Sequence, residues 1–260
     1  MRRRIERIEE IELELTKLNA SRALAAVPKQ LEVLSVGGST LLREPTNPAS
    51  IYYNRVKGFG AQDVPLLDTI LNHYPDGAPC FDLTPDLLSP DVSRALIEKG
   101  YLPAEQLVFL HADPLQKFEG TYEFQFELVT EETAEKFIQW IALSNGGMEL
   151  TEEMVARSKP YFYRPDFKNY MLTIDGNPAA MGSMFVHGQA GYLANDFTFP
   201  EYRGRGCQTA LLRHRLAEAV QLGLDTLYTD VEFGSVSHAN MERAGFRTAY
   251  LSAFWIKDDK

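Results

Sequence analysis

The chain has 260 residues, 45% apolar and 24% charged, a composition that suits a folded protein with one large core or two modest ones, and two is the expectation at this length. A formal net charge of −10 argues against bulk attraction to nucleic acid or to an anionic membrane, and it suits cationic partners only weakly. Two cysteines, Cys80 and Cys207, without a CxxC argue against disulfide staples or a thiolate metal site and for a reducing, cytoplasmic setting; no apolar run approaches ~18 residues, and "MRRRIERIEE" turns acidic at once, so neither a membrane span nor a signal segment is expected.

Residues 3–26 place Ile8, Ile11, Leu15 and Leu18 at alternating spacings of three and four, which predicts one amphipathic helix docked on its own domain. A dimer coiled coil is the sharper reading, and the pattern fails it at Arg22. "QLEVLSVGGSTLLREP" reads as a hairpin around Gly37-Gly38, and "IYYNRVKGFG" as a strand entering a glycine turn. A short helix from Val64 to His73, a strand at "PCFDLTP" and a helix capped by Ser89, with Pro90 at its first position and Gly100 at its end, complete the first half. The second half opens on the alternating "TYEFQFELVT", followed by helices near 131–144 and 151–158 and strands near 168–175, 179–187 and 191–199. A long helix to about Leu222, a strand at "DTLYTDVE", a helix over 235–244 and a final strand pair in "FRTAYLSAFWIK" close the chain. The boundary between halves is expected within 111–120.

The two halves echo one another. "LIEKGYLPAEQLVFL" aligns with "NMERAGFRTAYLSAFW", Gly100 and Gly245 standing 145 residues apart, and Gly58-Phe59-Gly60 stands 146 residues before Gly204-Arg205-Gly206. Two glycine landmarks at nearly one offset suggest a duplicated unit. The first copy lacks both arginines of the second and has a shorter helix.

Those arginines sit in "FTFPEYRGRGCQTALLRHRLAEA", where a strand turns through glycines into a helix. Such a corner offers unsatisfied N–H groups at the positive end of a helix dipole, and Arg203 and Arg205 add full charges, so a phosphate or pyrophosphate is the natural guest. A mononucleotide P-loop would need GxxxxGK[ST], which is absent. A dinucleotide fingerprint would need a glycine at Thr209; Asp225 and Asp230, about 20 residues on, keep that reading open, but the residues after the corner are too few for a doubly wound sheet. Coenzyme A remains.

"FPEYRGRGCQTALL" resembles the acetyl-coenzyme A loop of the GNAT family of N-acetyltransferases, whose pattern is [Arg/Gln]-x-x-Gly-x-[Gly/Ala], and "SVSHANMERAGFR" resembles that family's late helix ending in Gly-Phe. The resemblance covers about residues 120–260. Gln208 departs from the last small residue of the loop, as in a subgroup with Thr-Leu-Pro before the arginine, here Thr198-Phe199-Pro200. Met241 stands where many members carry a tyrosine that reprotonates the coenzyme's thiolate. The resemblance implies an α/β (α+β) fold, a mixed central sheet with a splayed cleft flanked by helices, in tandem: a GNAT acetyltransferase domain over 120–260 and an N-terminal helix plus a degenerate copy over 1–115. It implies that Phe197, Thr198 and Phe199 pair through their main chain with the pantetheine arm, that Arg203, Gly204, Arg205, Gly206, Cys207, Gln208 and Thr209 surround the pyrophosphate, and that Asn240 bonds the pantetheine or the thioester.

The chemistry so implied is direct attack of a primary amine of a small molecule on acetyl-coenzyme A in a ternary complex, with no metal, no nucleic acid and no membrane, in a monomer or homodimer. It needs a base, an oxyanion donor and an acid. Asp196 beside the coenzyme stretch, Glu232 at the end of the following strand and His238 in the late helix are the candidate acid–base residues, with Tyr228 and Tyr250 on nearby strands. Cys207, at a helix N-terminus beside arginine, is expected to have a lowered thiol pKa and to act as a small residue under the coenzyme, not as a nucleophile. The five histidines form no metal-ligand set. A coenzyme A-binding regulatory module without catalysis, and less plausibly a dinucleotide-binding protein, are the alternatives.

Overall fold

The computed structural model describes residues 2–113 and 124–258, so most of the expected boundary segment and the first three residues of "TYEFQFELVT" lie outside the described residues. The first half comprises helix α1 (Arg2–Ser21), strands β1 (Glu32–Val36), β2 (Ser39–Arg43) and β3 (Arg55–Lys57), and a 3-10 turn (Ala61–Leu66) leading into the short helix α2 (Leu67–Leu71). Strand β4 (Cys80–Leu83), helix α3 (Pro90–Glu98) and the long strand β5 (Tyr101–Ala112) follow. The second half comprises β6 (Gln125–Leu128), α4 (Ala134–Ser144), α5 (Glu152–Ser158), β7 (Phe167–Ile174), β8 (Asn177–His187), β9 (Ala190–Thr198), α6 (Cys207–Gln221), β10 (Thr226–Glu232), α7 (Val236–Arg243) and β11 (Arg247–Lys257).

Their order repeats. Strands β1, β2 and β3 form an antiparallel run and β3 pairs parallel with β4; strands β7, β8 and β9 form an antiparallel run and β9 pairs parallel with β10. A helix joins each parallel pair, and a second helix ending at a left-handed glycine, Gly100 or Gly245, leads to each last strand. The duplication read from the glycines is therefore repeated in element order and in strand direction.

Among the described residues eleven strands form one sheet, in the order β1-β2-β3-β4-β11-β5-β10-β9-β8-β7-β6. The last strand of each half is inserted beside the next-to-last strand of the other half: β11 lies against β4, and β5 lies against β10. At the centre β5 and β11 pair with one another from Tyr101–Lys257 to His111–Arg247. The expected final strand pair in "FRTAYLSAFWIK" is instead this single strand. Its pattern breaks because register shifts at Thr248/Tyr250 and Phe254/Trp255 interrupt the alternation, and it has a strand on each side, so no turn is needed.

Helix α1 buries Ile5, Ile8, Ile11, Leu15 and Leu18 in a core that also holds Phe137 and Trp140 of α4 and Phe109, Tyr192, Tyr228 and Tyr250 of the sheet. Its stripe is thus covered by its own sheet. It ends at Ser21, five residues before the expected end, where the Ser21 hydroxyl turns back onto the Lys17 carbonyl and the half-buried Arg22 lies against the Phe162 and Phe167 rings. Helices α6 and α7 cover the opposite face through Cys207, Ala210, Leu211, Leu212, Leu216 and Met241. Under α1 lies a buried ionic cluster: Arg55 bonds Glu12 at 2.6 Å and Asp82 at 3.5 Å, and Lys57 bonds Asp82 at 2.7 Å and Glu12 at 3.1 Å. Among the described residues, no helix is long and apolar enough to cross a membrane, and no cluster of His, Cys, Asp and Glu could hold a metal.

Candidate active site

Strands β9 and β10 pair only over Ala190–Tyr192 and Thr226–Tyr228, and then separate. From Leu193 onward the edge of β9 that faces β10 is free of strand pairing, while its other edge stays bonded to β8 through Thr198. An open strand edge in a cleft can accept an extended amide-bearing chain as an additional strand.

One irregularity shapes this edge. Ser183 pairs with Ala194 and Met181 with Phe197, so β9 carries an extra residue there, and Asn195 takes a left-handed φ of 57°. This bulge reverses the alternation: Tyr192, Ala194, Phe197 and Phe199 all join the α1–α4 core, while Asp196 turns to the α6 face. There it meets Arg215 at 2.5 Å. Gly182 faces the bulge because a Cβ at that position would collide with Asp196 and the Arg215 guanidinium.

At the far end of β9 the chain passes through Gly204 (φ 75°) and Gly206 (φ 80°) into α6. Gly206 is the N-cap and offers no side-chain cap, and the first turn holds no acidic residue, so the helix presents bare N–H groups to the cleft. The cleft, about 650 Å³, is lined by nine of the residues expected to hold the coenzyme: Phe197, Thr198, Arg203, Gly204, Gly206, Cys207, Gln208, Thr209 and Asn240. Phe199 and Arg205 do not line it. Phe199 packs edge-on against Trp140 and Phe197 on the α4 side, as the reversed alternation requires, and the Arg205 guanidinium lies over the Tyr202 ring at 5.2 Å.

Ser237 and Arg243 of α7 also line it and were not legible in the motif. Gln208 Nε2 donates to Ser237 Oγ at 3.3 Å, and Asn240 Nδ2 donates to Gln208 Oε1. The long side chain at the loop's last position therefore ties α6 to α7 instead of lying under the ligand. At the corresponding corner of the first half, Gly60 is extended, and Asp63 in the first turn accepts from Gly38 N–H at 2.9 Å and Ser39 Oγ at 2.8 Å. A carboxylate of the protein stands there where an anionic ligand would have to sit.

The other side of the splay opens into a chamber of about 860 Å³ bounded by α1, α4 and both halves of the sheet, including Tyr52, Arg55, Glu105, Phe109, Tyr192 and Asp230. A smaller cavity of about 220 Å³ joins the two, sharing Met181, Asp196 and Phe197 with the cleft and Arg22, Ile141, Asn145 and Asn195 with the chamber. Two sites thus meet at the bulge.

The candidate acid–base residues separate. Asp196 touches the cleft and the joining cavity, but its carboxylate is committed to Arg215; burial raises its pKa while the guanidinium opposes that rise. Glu232 is exposed and lines a different surface hollow with Glu105. His238 is buried, accepts the Gly234 N–H on Nδ1 at 3.2 Å and lies 3.7 Å from Glu242 on its other nitrogen, which makes it a cap for the turn before α7. The chamber supplies a further carboxylate: Tyr192 donates to Asp230 at 2.5 Å, and burial raises the Asp230 pKa. The sequence singled out Asp230 only as an acid at the dinucleotide spacing, because an isolated acid in a strand carries no acid–base motif.

The expected lowering of the Cys207 thiol pKa is corrected by the structure. Cys207 is 2% exposed, its S–H faces the Tyr202 carbonyl at 3.7 Å, and burial raises the pKa against the smaller effects of the helix end and Arg205. The reading of a small side chain at the floor of the cleft needs no thiolate.

Residues 131–246 match the model of a family described as Acetyltransferase (GNAT) family. No protein of curated function matches the chain in sequence. Among solved structures the chain is similar to a GCN5-related N-acetyltransferase from Kribbella flavida, with 16% identity, 96% of each chain covered and a TM-score of 0.69. It is similar to another from Sphaerobacter thermophilus, with 14% identity, 85% of this chain and 81% of that one covered and a TM-score of 0.61. A tandem GNAT protein from the clavulanic acid biosynthesis pathway has 13% identity, 95% and 94% coverage and a TM-score of 0.58. At these identities the likeness concerns the fold.

Proposed function

We propose that the protein, whose residues 131–246 match the GNAT acetyltransferase family model, transfers an acetyl group from acetyl-coenzyme A to a primary amine held in the chamber between its halves. The observation that carries the reading is the meeting, at the β9 bulge, of an anion-binding cleft and a separate chamber. The cleft suits the donor on three counts: bare N–H groups of α6 and Arg203 for the pyrophosphate, the open β9 edge for the pantetheine amides, and no acid in the first turn to repel either.

In this reading Asp230, poised by burial above the ordinary carboxylate range, takes the proton from the attacking amine. Tyr192 holds its carboxylate in place. The new C–N bond forms as the C–S bond breaks and the thiolate departs with the electron pair. Met241 is 1% exposed and carries no proton to give, so the thiolate is protonated by water in the open cleft. Asp196 acts through position, locking the bulge to Arg215. We assign 120–260 as the working domain and 1–115 as its degenerate companion, in the cytoplasm.

Calorimetry with coenzyme A, and thiol release from acetyl-coenzyme A with a panel of amines, test the proposal. Tight binding and acceptor-dependent release are expected. Binding with no release against a broad panel would instead identify a coenzyme A sensor, and preference for a nicotinamide dinucleotide would overturn the donor assignment.

A further inference from the structure

Resting on that reading, we infer that the acceptor is an α-amino acid or a close relative, whose carboxylate pairs with Arg22 while its amine faces the bulge and its side chain fills the chamber.

Arg22 is the charged residue that lines both the joining cavity and the chamber. Its guanidinium rests against the Phe162 and Phe167 rings at 5.4 and 5.1 Å, donates from Nε to Asn19 at 2.8 Å and from Nη2 to Asn195 at 3.0 Å. Among the described residues no carboxylate lies within ion-pair distance of it, although the same chamber holds Arg55 in a closed network with Glu12 and Asp82. Both hydrogen-bond neighbours of Arg22 are neutral amides, and desolvation lowers its pKa more than the phenols of Tyr52 and Tyr53 raise it. A half-buried guanidinium without a carboxylate partner is stabilised by a ligand that supplies an anion.

The wall beyond the splay has the opposite character. Asp230 has a tyrosine partner and no cation within ion-pair distance among the described residues, and Glu105 stands further along the same wall. One uncompensated guanidinium facing uncompensated carboxyls matches a zwitterion better than a polyamine, which would bring more cations toward Arg22. A single guanidinium also suits a monoanion; a phosphate dianion would sit in view of Asp230 and Glu105 with one cation to balance it.

Placement limits the acceptor further. Arg22 bonds Asn195, the bulge residue itself, so a group paired with it lies next to the place where the amine must react. Carboxylate and amine are therefore close neighbours in the acceptor, as on one α-carbon. The adjacent guanidinium also favours the neutral amine over the ammonium, the form that attacks.

The test is acetyl-coenzyme A consumption by the full chain with each of a set of α-amino acids beside its own decarboxylated amine and its own amide. For the preferred side chain, kcat/KM is expected to be roughly ten- to hundred-fold higher for the amino acid than for either matched compound. Arg22→Gln should bring that ratio toward one, mainly through KM, and Arg22→Lys should retain part of it. Transfer with amines or amides equal to the amino acids overturns the inference and leaves acetyl transfer standing. An Arg22→Gln variant that loses activity on all three classes equally also overturns it, because the residue is then structural. Coenzyme A binding with no acceptor consumed in any class removes the reading and this inference with it.

Discussion

At the scale of single residues, the first turn of α6 discriminates between a folded protein that binds an anion and one that does not. Thr209 lines the cleft in that turn, where a carboxylate stabilises a helix N-terminus. Thr209→Glu should therefore leave the melting temperature unchanged or slightly raised while weakening coenzyme A binding at least ~30-fold by placing charge where the pyrophosphate is proposed to lie. Unaltered coenzyme affinity in calorimetry would show that the α6 N-terminus does not hold it. Asp230 is decided by kinetics: Asp230→Asn should lower kcat by about 10²-fold with the coenzyme affinity intact. Because burial raises the Asp230 pKa, the wild-type kcat/KM should climb with pH through a value above the ordinary carboxylate range, since the base works only when deprotonated. That limb should vanish in the variant. Loop residues such as Gly204, Gly206 and Thr209 could be read directly because a helix N-terminus binds anions through main-chain geometry that glycine spacing reports. The roles proposed for Asp230 and Arg22 could not, since they rest on partners brought together by strand order and on the absence of counter-charges, neither of which a single chain position shows; Asp230 stood out only as an acid at the dinucleotide spacing.

Individual elements were legible wherever one face of a helix or strand repeats, as in α1, α3 with its Ser89 cap, and α6 with its closing glycine. The reading failed where an element is irregular: the bulge that turns Asp196 away from Phe197, and the two register shifts that made β11 look like a pair. The ionic cluster under α1 belongs to this scale too, because it fastens a helix to strands β3 and β4. Glu12 illustrates the balance. Burial alone would raise its pKa, but Arg55 and Lys57 outweigh that and hold it at about 2. Glu12→Gln leaves two buried cations with less counter-charge and should destabilise the fold by about 3 kcal/mol in urea titration at pH 7. A carboxyl depressed on folding contributes stability that is complete above its unfolded value near 4.5 and is lost as the pH falls toward about 2. The gap between wild type and Glu12→Gln should accordingly narrow between those limits and be constant above them; a gap independent of pH would mean that the charge of Glu12 contributes nothing to its role.

At the scale of the whole molecule, the exchange of last strands decides what each half can do alone. Strand β5 occupies the position between β10 and β11, bonded to β10 from Leu107 to Ala112 and to β11 along its length. The second half without it would expose two strand edges at the centre of its own sheet, together with the apolar surface that covers Val108 and Leu110, which are completely buried. Unpaired central edges invite pairing with another chain. The first half faces the same deficit: β4 would lose β11, and Asp82 would lose the Ser252 hydroxyl that bonds it. A fragment starting at residue 120, which contains every residue proposed above to contact coenzyme A, should therefore be aggregated or dimeric by light scattering and should bind coenzyme A poorly. Coexpression with residues 1–115 should restore a soluble one-to-one complex that binds coenzyme A with the affinity of the intact chain, because the contacts that join the halves are strand pairs and not the covalent link. A fragment that is monomeric, stable and fully able to bind coenzyme A on its own would show that β5 is dispensable, and that the first half covers the chamber without completing the sheet of the second half.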